Sequence, residues 1–171
     1  MAIKINDIPP EGLMLELAHK LDLFDKGIAS TAFTAVLSFK PSGAGLLHVA
    51  GRIQAEPLLE CSRCLKSFPY EIDAEVSVEL MPASTVEAAA EHELARSELD
   101  TEFYQGEELE PVAIIKEQLL IAVPMVPLHD ANCKGLCPVC GKDLNDAGCD
   151  CNRENQDTFG AFSALKDIFK K

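Results

Sequence analysis

Seven cysteines and one histidine carry the chain's most specific chemistry, and their spacing says what kind. Cys61-Ser62-Arg63-Cys64 is one pair; Cys137-Pro138-Val139-Cys140-Gly141 is a second, preceded by His129 and Cys133 and followed by Cys149-Asp150-Cys151. A Cys-x-x-Cys turn lets two thiolates reach one ion, because the two intervening residues close a tight loop whose amides point at the sulfurs. A glycine after the second cysteine lets the backbone fold over them. Two knuckles brought together make a closed tetrahedral site of the structural zinc type, and such a site adds on the order of 10 kcal/mol to folding. That contribution matters in a C-terminal segment with few apolar residues. The odd cysteine count fits ligation better than a disulfide framework, as does a start, Met1-Ala2-Ile3-Lys4-Ile5-Asn6-Asp7, without a charged leader and apolar core. A cytoplasmic location is the expectation.

Two partitions of the ligands satisfy the spacing. In one, Cys61, Cys64, Cys137 and Cys140 form a single site, leaving Cys133, Cys149 and Cys151 over. In the other, Cys137, Cys140, Cys149 and Cys151 close a local site, while Cys61 and Cys64 are completed by Cys133 and His129. One or two structural zinc ions follow.

Competing chemistries are less well served. A thioredoxin-like pair needs a helix N-terminus to depress the first thiol, but Cys64 runs through Leu65-Lys66-Ser67-Phe68-Pro69 into a strand pattern. Residues 135–142 mimic a phosphate loop, yet five residues rather than four separate Gly135 from Gly141, and Asp143 stands at the Ser/Thr position. Neither a nucleophile elbow nor a helical metalloprotease motif is present. Closed sites leave no open coordination position, so no enzyme and no small-molecule substrate are expected. A thiol-redox or metal-dependent enzyme acting on RNA is the alternative from another class, and a general zinc-dependent interaction module is a third.

The elements that must position these residues are mostly strands. Phe33, Ala35, Leu37 and Phe39 alternate with polar or small neighbours; beyond a Pro/Gly-rich turn at 41–45, Leu47, Val49, Gly51 and Ile53 do the same. Tyr70, Ile72, Ala74, Val76, Val78 and Leu80 face inward against Glu71, Asp73, Glu75, Ser77 and Glu79, so one face of the sheet is wet and acidic. Leu13, Leu15, Leu17, Leu21 and Leu23 share one parity, but Leu13, Leu17, Leu21 and Phe24 also fit a helical stripe, and both readings stand. A helix is expected over 110–122, with Pro111 in its first turn, Val112, Ile115 and Leu119 on one face and Pro124 as its stop. A second helix is expected over 159–170, capped by Thr158 and closed by Lys170 and Lys171.

At 171 residues, with 47% hydrophobic and 25% charged residues, the composition is that of a globular protein and excludes collagen-like repeats and coiled coils. The most apolar stretch, 111–127, contains Lys116 and Glu117 and is no membrane span. Charge is concentrated: of a net −13, residues 71–110 hold thirteen carboxylates and one base, Arg96. Such a surface repels phosphate and suits a basic protein partner, or serves as a solvated face. Arg63, Lys134 and Lys142 flank the cysteine loops and could touch RNA phosphate or balance thiolate charge.

Three segments together resemble the YceD family of large ribosomal RNA subunit accumulation proteins: Leu59-Glu60-Cys61-Ser62-Arg63-Cys64-Leu65 after a strand, Ile114-Ile115-Lys116-Glu117-Gln118-Leu119-Leu120 running into Ala122-Val123-Pro124, and Cys133 through Asn145 closed by Cys149-Asp150-Cys151. The order and spacing match over most of the chain. The resemblance implies a non-catalytic role in synthesis, processing or stability of 23S ribosomal RNA, on a large-subunit precursor. Some members keep the first Cys-x-x-Cys and Cys133 without the distal knuckle, which favours the second partition; His129 stands where many knuckle-bearing members carry Cys. Family genes often lie beside that of a small basic large-subunit ribosomal protein, and with the acidic stretch this implies such a protein as partner.

The expected architecture is α+β: an antiparallel β-sheet or partly open barrel with the first Cys-x-x-Cys over 1–82, an acidic mobile connection over 83–109, and a packing helix, zinc-knuckle segment and terminal helix over 110–171, integrated as one domain.

Overall fold

The computed structural model describes residues 2–24, 30–43, 45–83, 101–146 and 148–151. The described residues divide into two compact units: those up to 59 together with those from 68 to 125, and residues 60–67 together with those from 126 to 151.

In the first unit, alternation becomes a sheet. Strands β2 (Leu13–Leu21), β3 (Thr31–Gly43), β4 (Leu46–Ala55) and β7 (Ile72–Pro82) pair antiparallel in the order β2-β3-β4-β7. Every second residue points to one face, so Phe33, Leu37, Phe39, Leu47, Val49, Ile53, Val76, Val78 and Leu80 are all buried there. The ambiguous leucine segment is a strand: Leu13 through Leu21 pairs in register with Phe39 through Thr31. Nine ladder positions beside an already formed strand outweigh a four-residue helical stripe.

Gly51 meets a steric demand at the centre of this sheet. It lies between Leu37 and Val76 in the register, and a Cβ there would overlap the Val36 carbonyl oxygen and come within 2.9 Å of Leu37 Cα. Only glycine lets β3 and β4 approach so closely.

The helix α1 (Pro111–Ala122) forms where expected, with Pro111 at its start and the Val123 amide donating to the Leu119 carbonyl, 3.2 Å, at its end. Ile114, Ile115 and Leu119 join the core of the sheet's inner face; Val112 is only partly buried.

Two features bear on the expected acidic connection. Among its described residues, β8 (Thr101–Tyr104) extends the sheet, and β9 (Glu108–Leu109) pairs antiparallel with β1 (Ile3–Lys4). Moreover, β8 runs parallel to β7, with Glu79 to Pro82 opposite Thr101 to Tyr104, so the sheet is mixed. Short charged runs carry little alternation; ladder bonds to β7 and the Tyr104 hydroxyl donating to the Gly45 carbonyl, 2.8 Å, hold β8 in place. Residues 84–100, and the helix expected over 159–170, lie outside the described residues. The α+β class holds. Among the described residues no helix is long and apolar enough to cross a membrane.

Candidate metal centres

The short strands β5 (Leu58–Glu60) and β6 (Ser67–Pro69) pair with one another and lead the chain into and out of the first cysteine loop. That loop and the second have the same backbone. In the first, the Leu65 amide donates to the Cys61 carbonyl and the Cys61 amide to the Lys66 carbonyl, both at 2.9 Å. In the second, the Gly141 amide donates to the Cys137 carbonyl at 2.8 Å and the Cys137 amide to the Lys142 carbonyl at 2.7 Å. Each is a Cys-x-x-Cys-x-Lys knuckle whose fifth residue takes a left-handed conformation, Leu65 at φ 60° and Gly141 at φ 72°. Both turns aim backbone amides at their own first sulfur.

The eight candidate ligands fall into two groups. Cys61, Cys64, His129 and Cys133 place one donor atom each within 4.8 Å of one another, and so do Cys137, Cys140, Cys149 and Cys151. This is the second of the two groupings that spacing allowed; the structure does not bring Cys61 and Cys64 into one set with Cys137 and Cys140.

The first donor set has the edges of a tetrahedral site. Zinc–sulfur bonds of about 2.3 Å imply a sulfur–sulfur edge of about 3.8 Å, and a mixed sulfur–nitrogen edge is about 3.6 Å. Cys61 Sγ and Cys133 Sγ are 3.8 Å apart, and Cys64 Sγ and His129 Nδ1 are 3.4 Å apart. Cys61, Cys64 and Cys133 are buried, whereas Cys140 is exposed and Cys149 and Cys151 are half-buried. The first set is therefore the drier of the two.

Electrostatics within each set point the same way. Burial acts to raise the Cys61 thiol, but the His129 side chain and backbone, with the Arg63 and Cys64 amides, overcome it and bring it down to about 5. Its neighbour Cys64 is pushed up to about 11, by burial first and then by Cys133 and Cys61, against the Lys66 amide. In the second set the Cys140 and Val139 amides and the Cys149 side chain bring Cys137 down to about 6, while the Cys140 side chain and burial push Cys151 up to about 12. Crowded sulfurs cannot all carry charge unaided. A divalent cation among them removes that repulsion and allows full ionisation.

Support comes from around the donors. The Arg63 guanidinium donates to the Cys133 carbonyl at 2.9 Å and the Ala131 carbonyl at 3.4 Å, and the Arg63 carbonyl accepts from the Leu136 amide at 3.1 Å. Gly135, at φ 74°, passes so close that a Cβ would meet the Arg63 carbonyl oxygen at 3.0 Å. Arg63 thus braces the first set. Asn145 was not singled out by sequence reasoning: its Nδ2 donates to Cys133 Sγ at 3.4 Å. The Asp143-Leu144-Asn145 turn after the second knuckle was the available signal.

A strand-rich α+β unit joined to a unit built around two four-donor cysteine clusters defines the class of protein. A family model described as large ribosomal RNA subunit accumulation protein YceD matches residues 49–169, which include all eight donors. The chain belongs to this family. Among curated proteins it is similar to the large ribosomal RNA subunit accumulation protein YceD of Haemophilus influenzae, 27% identical over 116 residues. That match covers 67% of this chain and 64% of the relative, so the chain spans just under two thirds of the relative's length. No solved structure matches the chain.

Proposed function

We propose that this chain is a non-catalytic, cytoplasmic factor that supports accumulation of 23S ribosomal RNA in the large ribosomal subunit, with two structural zinc ions held by Cys61, Cys64, His129 and Cys133 and by Cys137, Cys140, Cys149 and Cys151. Family membership supports the ribosomal role. The single observation that supports the non-catalytic part is that every cysteine of the chain lies in one of two groups of four donor residues able to hold an ion. Thiolates held in such a set are spent on the metal, which at a closed site folds the chain rather than activating water. A redox enzyme would draw on a depressed thiol such as Cys61, but that sulfur belongs to a residue with 0% exposure. The partner on the large-subunit precursor is the RNA, a basic ribosomal protein, or both; Glu75 and Glu79, exposed along β7, and Glu71, exposed just before it, favour a basic protein at that face.

Deletion of the gene, followed by measurement of 23S against 16S ribosomal RNA, tests the reading. Selective loss of 23S, restored by the intact chain and not by a Cys61→Ser/Cys137→Ser variant, is the expected result. Equal change in both RNAs would overturn it.

A further inference from the structure

The loop that carries the second donor set also reaches the first. Asn145 lies between Cys140 and Cys149 of the second set, yet its Nδ2 donates to Sγ of Cys133, a member of the first, at 3.4 Å. The rest of the Asn145 amide is fixed as well. Nδ2 donates to Asp143 Oδ1 at 2.6 Å, the Asn145 backbone amide donates to the same oxygen at 2.8 Å, and Asn145 Oδ1 accepts from the Lys134 amide at 2.8 Å. Backbone bonds run alongside: the Leu144 amide donates to the Gly135 carbonyl at 2.9 Å, and the Leu136 amide to the Arg63 carbonyl. Cys133 is only 4% exposed, so its sulfur depends on protein donors rather than water.

We propose that the two donor sets load metal cooperatively and that Asn145 is the positioning residue that couples them; this rests on the metal-binding reading above. An ion at the second set closes the loop between Cys140 and Cys149 and so fixes the Asp143–Asn145 turn. The fixed turn presents an N–H to Cys133, and a hydrogen bond to a ligating sulfur sets the direction in which that sulfur points. Linkage makes the effect reciprocal: an ion at the first set holds Cys133 where Asn145 docks, and thereby orders the second loop.

The full chain, stripped of metal under reducing conditions, is titrated with zinc and followed by native mass spectrometry. Independent sites, equal in affinity or not, place at least about half of the molecules in the one-zinc state at half saturation. Coupling leaves that state well below half, with the zinc-free and two-zinc forms dominant. Asn145→Ala should bring the one-zinc state to half or more and weaken one site by roughly tenfold or more. Asn145→Asp keeps an acceptor for the Lys134 amide but sets an anion against Cys133, and should act in the same direction. A residue needed only for folding would weaken both sites together without redistributing the populations. A native chain with half or more of its molecules in the one-zinc state overturns the coupling and leaves the metal reading intact, whereas a chain that takes up no zinc overturns both. If both variants keep the native distribution, Asn145 is not the coupling residue.

Discussion

Leu65 and Gly141 occupy the same left-handed backbone position in two knuckles of the same design, at φ 60° and 72°. Glycine takes that conformation without a steric penalty, whereas leucine sets its Cβ against the following carbonyl at a cost of roughly 1–2 kcal/mol. Leu65 recovers little of this by burial, being 57% exposed. Strain kept at an exposed apolar residue points to a use for the side chain, and the two can be separated.

Leu65→Gly is expected to stabilise the metal-loaded protein, by up to about 1 kcal/mol once the greater freedom of glycine in the unfolded chain is set against the relieved strain. Gly141→Leu should destabilise by a similar amount. Denaturant unfolding of the loaded proteins reads both. If Leu65→Gly is more stable but no longer restores 23S RNA in the deletion strain, the side chain contacts a partner; a less stable Leu65→Gly would remove the strain argument.

Removal of metal should act on one unit and spare the other. The core of the first unit is built from Leu37, Phe39, Val49, Ile53, Ile115 and Leu119, none of them a metal ligand, so its strand signal in far-ultraviolet circular dichroism should survive chelation. All seven thiols, protected in the loaded protein, should then react with a thiol reagent. Elemental analysis should find two zinc ions per chain before chelation. Seven reactive thiols in the untreated protein would defeat the two-site assignment.

The sign of the pH dependence follows from the depressed thiols. Cys61 and Cys137 lie at about 5 and about 6 when folded, below an ordinary unfolded thiol at roughly 8.5. Their contribution to stability is therefore fully present above the unfolded value and is lost as pH falls through about 6 and then about 5. For the metal-free, reduced chain, ultraviolet thiolate absorbance should already be present at pH 7. Absorbance that appears only above the ordinary thiol range would show that neither His129 beside Cys61 nor the knuckle amides act on these sulfurs. In the loaded protein protons compete with zinc, so metal release on acidification should begin in the same range.

Gly51→Ala tests the sheet rather than the metal centres. The added methyl overlaps the Val36 carbonyl oxygen in the middle of the β3–β4 ladder, where backbone on both sides is held by hydrogen bonds. A loss on the order of 3 kcal/mol is expected, because the strands must separate to admit it. Zinc affinity, set in the other unit, should stay within about twofold of the native value, since distant sites are nearly independent. A neutral substitution would show that β3 and β4 can part without cost.

Much of this molecule was legible in its residues because the governing physics is local. Alternation over 33–39, 47–53 and 72–80 specifies strands wherever one face is buried, and the Pro111 start and Pro124 stop frame the helix without reference to anything distant. The two Cys-x-x-Cys loops were legible for the same reason: a two-residue spacing by itself brings two sulfurs to one point. Which sulfurs share a centre is a different matter. Cys61 and Cys133 are separated by 72 positions, and only the folded chain places them 3.8 Å apart while assigning Cys137 to other partners. Tertiary structure likewise decided that the leucine-rich segment 13–21 is a strand, since β3 supplied an edge to pair with, and that Thr101–Tyr104 lies parallel to β7. The reach of Asn145 to Cys133 was hidden for the same physical reason. Hydrogen bonds between loops depend on how chain segments meet in space, and local spacing constrains that only weakly.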